Sequence, residues 1–195
     1  MILKGIDISH HNRWLYNKGS IDFTKHDFII LKATEGRTYT DPMYDKYMEK
    51  IKELDKPYGI YHYARPENNT AKQEAQHFCK TIGEDGNNAI LALDWEGKAT
   101  TCDIQWAVDW LKYVESVYHK KPLIYCSSWY TSRLKPVLEN GNGLWVAHYT
   151  KAKKPTIHTY PFYTIWQYTS EPYDKDVFNG SLSQWLKYTY EAKTT

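Results

Sequence analysis

The sequence predicts an α/β protein built as an irregular, parallel, TIM-like β/α barrel. Three observations lead there. Short apolar segments of strand length recur along the 195 residues. Amphipathic stretches of helical period separate several of them. The spacing between strands matches βαβ units for most of the chain and then contracts.

In chain order the strand candidates are Gly5–Ile8, Phe28–Ala33, Gly59–Tyr63, Ala89–Asp94, Leu123–Cys126, Leu144–Ala147, Tyr163–Tyr168 and Asp176–Phe178. Most are unalternated and rich in β-branched or aromatic residues, as strands covered on both faces are. Three helices fall between them. Tyr44–Leu54 repeats Tyr44, Tyr47, Met48, Ile51 and Leu54 at steps of three and four. Thr70–Ile82 does so with Ala71, Ala75, Phe78 and Ile82, and Asp103–Tyr118 with Ile104, Ala107, Val108, Leu111, Val114 and Val117. Thr70 and Asp103 are N-cap residues by type, while Gly59 and Gly83 terminate elements.

Successive strand centres are about 24, 31, 30 and 33 residues apart, near the ~30 of a βαβ unit, and then about 22 and 20. The last links carry Gly141-Asn142-Gly143 and the loop Lys151–Pro155, with little room for a covering helix. A chain that alternates and then loses its helices makes a barrel that is irregular in its final third. An open doubly wound sheet is the alternative. With no repeat or linker in view, residues 1–195 are read as one domain.

Composition narrows the function classes. Lys+Arg 25 against Asp+Glu 23 leaves +2, which argues against a nucleic-acid partner or a polybasic membrane surface. No apolar run approaches the 18 or so residues of a membrane span, so no membrane insertion is expected. Cys79, Cys102 and Cys126 are odd in number and widely spaced, which excludes a disulfide framework or a zinc ribbon. The Met1–Asp7 segment reads as a first strand rather than a signal peptide. Tyr 18, Trp 8 and Phe 5 make 16% of the chain aromatic. Tyr and Trp offer flat apolar faces with a hydrogen-bonding edge, a surface suited to sugars and equally to a Tyr-rich core.

In a parallel barrel the carboxyl ends of the strands build the site. Those ends carry Asp7; Lys32, Thr34 and Glu35; Tyr61, His62, Tyr63 and Arg65; Asp94 and Glu96; Tyr125 and Trp129; Trp145, His148 and Tyr149; Gln167 and Tyr168; and finally Asp174 and Asp176. Asp94 and Glu96 are the sharpest pair. Two apart on a strand, they point to one side with backbones about 6.6 Å apart. Such a pair repels and is partly desolvated, so one member keeps its proton to a high pH. Glycoside cleavage needs that combination, an acid for the leaving oxygen and an anion beside the oxocarbenium-like centre. A bare D-x-E is nevertheless common, and a solvated turn is the plain alternative. His10-His11 is the only tight histidine pair, and adjacent strand residues face opposite ways, so neither a metal nor another cofactor is expected.

Several ordered motifs together resemble glycoside hydrolase family 25, the lysozymes of the Chalaropsis type. They are Gly5-Ile6-Asp7-Ile8-Ser9, Ile30-Leu31-Lys32-Ala33-Thr34-Glu35-Gly36, Gly59-Ile60-Tyr61-His62-Tyr63-Ala64-Arg65-Pro66 and Leu93-Asp94-Trp95-Glu96. Leu123-Ile124-Tyr125, Leu144–Tyr149 and Ile165–Ser170 complete the set. The resemblance implies five β/α units followed by three strands with few or no covering helices. It also implies metal-free hydrolysis of the β-1,4 bond between N-acetylmuramic acid and N-acetylglucosamine in bacterial peptidoglycan. By the same resemblance Glu96 is the proton donor, and Asp94 steadies positive charge or positions the acetamido group. Asp7 and Asp174 join them as site aspartates. The family's Val-Asp-x-Asn-x-Phe stands here as Tyr173-Asp174-Lys175-Asp176-Val177-Phe178, which puts Asp176 at the asparagine position. Tyr61, Tyr63, Arg65, Tyr125, Trp129, Trp145, Gln167 and Asp176 are the expected substrate contacts. A chitinase-type glycosidase and a non-catalytic wall-binding module are the rival readings. The expected setting is a host cytoplasm and then the cell wall if this is a phage endolysin, and otherwise leaderless export. Family members often carry a separate wall-anchoring module, so a longer parent chain is within expectation.

Overall fold

The structure is a computed structural model and describes residues 2–189. Nine strands form one sheet: β1 (Leu3–Ile8), β2 (Phe28–Glu35), β3 (Tyr39–Thr40), β4 (Tyr58–Tyr63), β5 (Ile90–Asp94), β6 (Leu123–Ser127), β7 (Leu144–Ala147), β8 (Ile165–Thr169) and β9 (Lys175–Phe178). The order β1-β9-β8-β7-β6-β5-β4-β2 closes through a β1–β2 pairing, giving an eight-stranded barrel with β3 as a hairpin extension of β2. The helices are α1 (Arg13–Asn17), α2 (Tyr44–Glu53), α3 (Ala71–Ile82), α4 (Ile104–Tyr118), α5 (Lys135–Glu139) and α6 (Leu182–Thr189).

The barrel strands form within two residues of the expected bounds. The barrel is mixed rather than wholly parallel, because β9 runs antiparallel to both β8 and β1. Only a short connection joins β8 to β9, and antiparallel strands alone can be linked without a crossover. The reversal has a consequence for chemistry: the amino end of β9, with Asp174 and Asp176, lies at the same rim as the carboxyl ends of the other strands. Thr70 and Asp103 do cap their helices. Thr70 accepts from Gln73 N while Gln73 reaches back to Thr70 N, and Asp103 accepts from Gln105 N. Val117, counted on the apolar face of α4 by its spacing, is left exposed at the far end of that helix. α1, α5 and α6 lie outside the three helices the periodicity predicts; α1 and α5, at five residues each, are too short for a periodic signal.

Two apolar layers result from the two-residue period of each strand. Phe28, Ile30, Ile90, Ala92, Leu123, Ile165 and Phe178 fill the barrel interior, whereas Ile29, Leu31, Leu91 and Leu93 pack outward against the helices. Gly5 is part of this arrangement, since a Cβ there would overlap the Phe28 ring. Trp185 of α6 seals the bottom, with its ring 4.7 Å from Phe28 and 5.1 Å from Phe178. Burying Phe28 and Phe178 contributes roughly 1.5–3 kcal/mol each. With one end plugged by hydrocarbon, polar interior residues accumulate at the other. Cys126 is buried and Cys79 and Cys102 are half-buried, all three as free thiols. No helix among the described residues is long and apolar enough to cross a membrane.

Candidate active site

The same alternation that fills the interior delivers the site. Continuing inward past Phe28 and Ile30 gives Lys32; past Ile90 and Ala92 it gives Asp94, and Glu96 follows one step beyond the strand. Asp7, Tyr61, Tyr63, Tyr125, Trp145, Gln167 and Asp174 complete a cavity of about 300 Å³ at the open end, with Ser9, His11, Asn12 and Tyr149 at its edge. Asp94 and Glu96 therefore face one space. Gly97, at φ +55, makes the turn that follows Glu96, a backbone geometry suited to glycine. On β1, Ser9 and Asn12 cap each other's backbone and fix the loop that carries His11.

A hydrogen-bonded frame holds the rim. Gln167 Nε2 donates to Asp7 Oδ2 at 2.8 Å, while its Oε1 accepts from Tyr125 at 3.1 Å and Tyr149 at 2.7 Å. Trp145 Nε1 donates to Asp176 Oδ1 at 2.8 Å. Lys32 Nζ meets Glu35 Oε2 at 2.6 Å and lies 4.8 Å from the Tyr63 ring centre. Asp94 Oδ1 and Asp176 Oδ2 are buried without a hydrogen-bond partner.

Asp7, Asp94, Glu96, Asp174 and Asp176 are all pushed toward their protonated form. Burial raises Asp94 well above the usual range, and the charge of Glu96 adds to it. Burial also raises Glu96, with Asp174 adding and Lys32 opposing. Asp7 is driven well above its ordinary value by burial and then by Asp176 and Asp174, and Asp176 itself rises to about 7. Burial and mutual repulsion thus disfavour two negative charges on the Asp7–Asp176 pair at once. A site of this kind can donate a proton from one carboxyl while others respond to charge that develops nearby. Among the described residues no group of three or more His, Cys, Asp or Glu is placed to hold a metal.

Three expected contacts sit elsewhere. Trp129 is 58% exposed, with its ring edge-on to Tyr130 on the turn after β6, and does not line the cavity. Arg65 also lies outside it, turned away by a two-point bond from Nε and Nη2 to Glu35. Asp176 is wholly buried behind Trp145, so it acts on the cavity through that ring and through Asp7 and has no direct access to it. Lys32 and Tyr149, expected at strand ends but not as catalytic or substrate-contact residues, also line the cavity. The inward parity of Lys32 with Phe28 and Ile30 was the available signal. His62, next to two site tyrosines, points out of the barrel. Burial lowers the pKa of its ring, whose Nδ1 lies 2.7 Å from the Thr34 hydroxyl and whose Nε2 lies 2.7 Å from Glu74 Oε2. Glu74 also takes Arg65 N at 3.0 Å and Asn69 Nδ2 at 2.7 Å, fixing the loop between β4 and α3.

Comparison with known proteins agrees with this geometry. The N,O-diacetylmuramidase of Chalaropsis sp. is 28% identical over 211 residues, covering 95% of this chain and 98% of the relative. YegX of Escherichia coli K12 is 29% identical over 169 residues, and there the match spans 80% of this chain but only 61% of the relative's length. The solved structure of a family GH25 lysozyme from Aspergillus fumigatus superposes with a TM-score of 0.81 at 25% identity, covering 97% of this chain and all of that one. The sequence model for glycosyl hydrolases family 25 matches residues 6–177, which takes in every barrel strand almost to its end, and the chain belongs to that family.

Proposed function

We propose that this chain is a muramidase that cleaves the β-1,4 bond between N-acetylmuramic acid and N-acetylglucosamine of bacterial peptidoglycan. The observation that carries the reading is the pairing of Asp94 and Glu96 on one face of a single cavity, with Asp7 and Asp174 beside them. Their roles divide by environment. Glu96 is half-buried, raised by burial and by Asp174, and stands at the cavity's opening, where it protonates the leaving glycosidic oxygen. Asp94 is deeper, with one oxygen lacking any partner. The N–H of a substrate acetamido group supplies that partner, orients the acetamido oxygen toward the anomeric carbon and draws Asp94 toward its anion as positive charge develops. Tyr61, Tyr63 and Trp145 wall the sugar ring.

The proposal places the enzyme's work at the bacterial wall. Mass spectrometry of digested walls tests the chemistry. Reducing muramic ends are expected, whereas freed amino groups, or release from chitin but not from walls, would reassign it. Glu96→Gln is expected to lower turnover by at least about 10²-fold, the low end for a general acid, with glycan binding retained. Undiminished turnover would move the acid to another residue.

A further inference from the structure

Beside the catalytic cavity, and sharing His11 with it, lies a second and more open cleft of about 750 Å³. Its walls come from the β2–β3 hairpin, the loop between β4 and α3, and Lys98, two residues past Glu96. An ion-pair chain separates the two spaces. Lys32 bonds Glu35 Oε2 from the cavity side, and Arg65 bonds Glu35 Oε1 from the cleft side. Both cations lie 4.8 Å from the Tyr63 ring centre. Across that wall the sign of charge reverses. The cavity gathers Asp7, Asp94, Glu96 and Asp174 around Lys32. The cleft is lined by Arg37, Arg65 and Lys98 against Glu35 and Glu67. Arg65 is held by Glu35 and lies 3.7 Å from Glu67. Arg37 and Lys98 form no ion pair among the described residues, and both are exposed at the cleft. Gly36, at φ +57, turns the hairpin tightly against Arg65 and so fixes where Arg37 starts.

We propose that this cleft receives the carboxylate-bearing peptide stem of the muramic acid, with Arg37 and Lys98 pairing with its carboxylates. The inference rests on the muramidase reading above. A neutral sugar gains nothing from two unpaired cations. An anionic substituent is drawn to the unpaired cations of the adjoining cleft, while its own sugar ring stays near Glu96. The stem then sets specificity, since chains that carry it gain contacts that bare glycan cannot make.

The test is binding of defined glycan chains to the Glu96→Gln protein by calorimetry, with tetrapeptide stems present or removed by an amidase. Stem-bearing chains are expected to bind about three- to tenfold more tightly, the range for one or two exposed ion pairs. That ratio is expected to fall toward one in the double variant Arg37→Ser, Lys98→Ser, and to shrink in raised salt. Both residues are exposed, so circular dichroism of the double variant should match that of the parent. Equal affinities for the two chains, or a ratio that survives the double substitution, would overturn the proposal while wall hydrolysis by the unsubstituted enzyme leaves the muramidase reading standing. Absence of both hydrolysis and binding would overturn the two together.

Discussion

Asp176→Asn exchanges a wholly buried carboxylate for an amide of nearly the same shape. Its Oδ1 still accepts Trp145 Nε1–H, now 2.8 Å from the carboxylate. The carboxylate pays for its burial: its pKa rises from 3.8 to about 7. Three units at 1.36 kcal/mol each amount to roughly 4 kcal/mol at most. The sign follows from linkage. Between pH 4 and 7 the folded chain holds a proton that the unfolded chain has released, so stability falls as pH rises through that window. The asparagine variant lacks this titration. Its advantage should be absent below about pH 4, grow to pH 7 and stay constant above, reaching ~10 °C in Tm at 2–4 °C per kcal/mol for a domain of this size. Urea and thermal unfolding at pH 4 and pH 8 measure it. A gain of equal size at both pH values, or a loss at pH 8, would refute the electrostatic account of the Asp7–Asp176 pair.

Two further outcomes follow from the same charges and contacts. With Glu96 as the proposed acid, turnover declines as pH rises through that group's elevated pKa; Lys32 is the cation that opposes the elevation. Lys32→Met should therefore move the alkaline limb of kcat/KM to higher pH, and an unmoved limb counts against Lys32 as the tuning cation. Glu74→Ala strands His62 Nε2, Arg65 N and Asn69 Nδ2 in a buried site. A loss of at least about 2–3 kcal/mol in urea unfolding is expected, and a loss below about 1 kcal/mol would mean the loop re-pairs elsewhere.

Much of the barrel was legible because the strands are buried on both faces and read as unbroken apolar runs. The two-residue period then places Asp94 and Glu96 together without any tertiary information. Lys32, Arg65 and Trp129 were harder. All three are polar or aromatic residues at strand ends, yet Lys32 points into the cavity, Arg65 is turned away by Glu35 and Trp129 stands in solvent. Strand-end position gives proximity to the rim; the partner that captures a long side chain gives its direction, and Glu35 comes from another strand. His62 shows the limit from the other side, since its parity already sent it outward, toward Glu74.

Local sequence determined the run of strands and helices, the capped starts of α3 and α4, and the inward face of each strand, because these depend on neighbours within a few residues. Closure decided the rest. The antiparallel return of β9 carries Asp174 and Asp176 to a rim they share with Asp7 from the opposite end of the chain. Trp185 plugs the far end. Protonation of the carboxyls is set by the water the closed barrel excludes and by charges brought close from distant strands, and neither quantity exists until the sheet has joined its own edges.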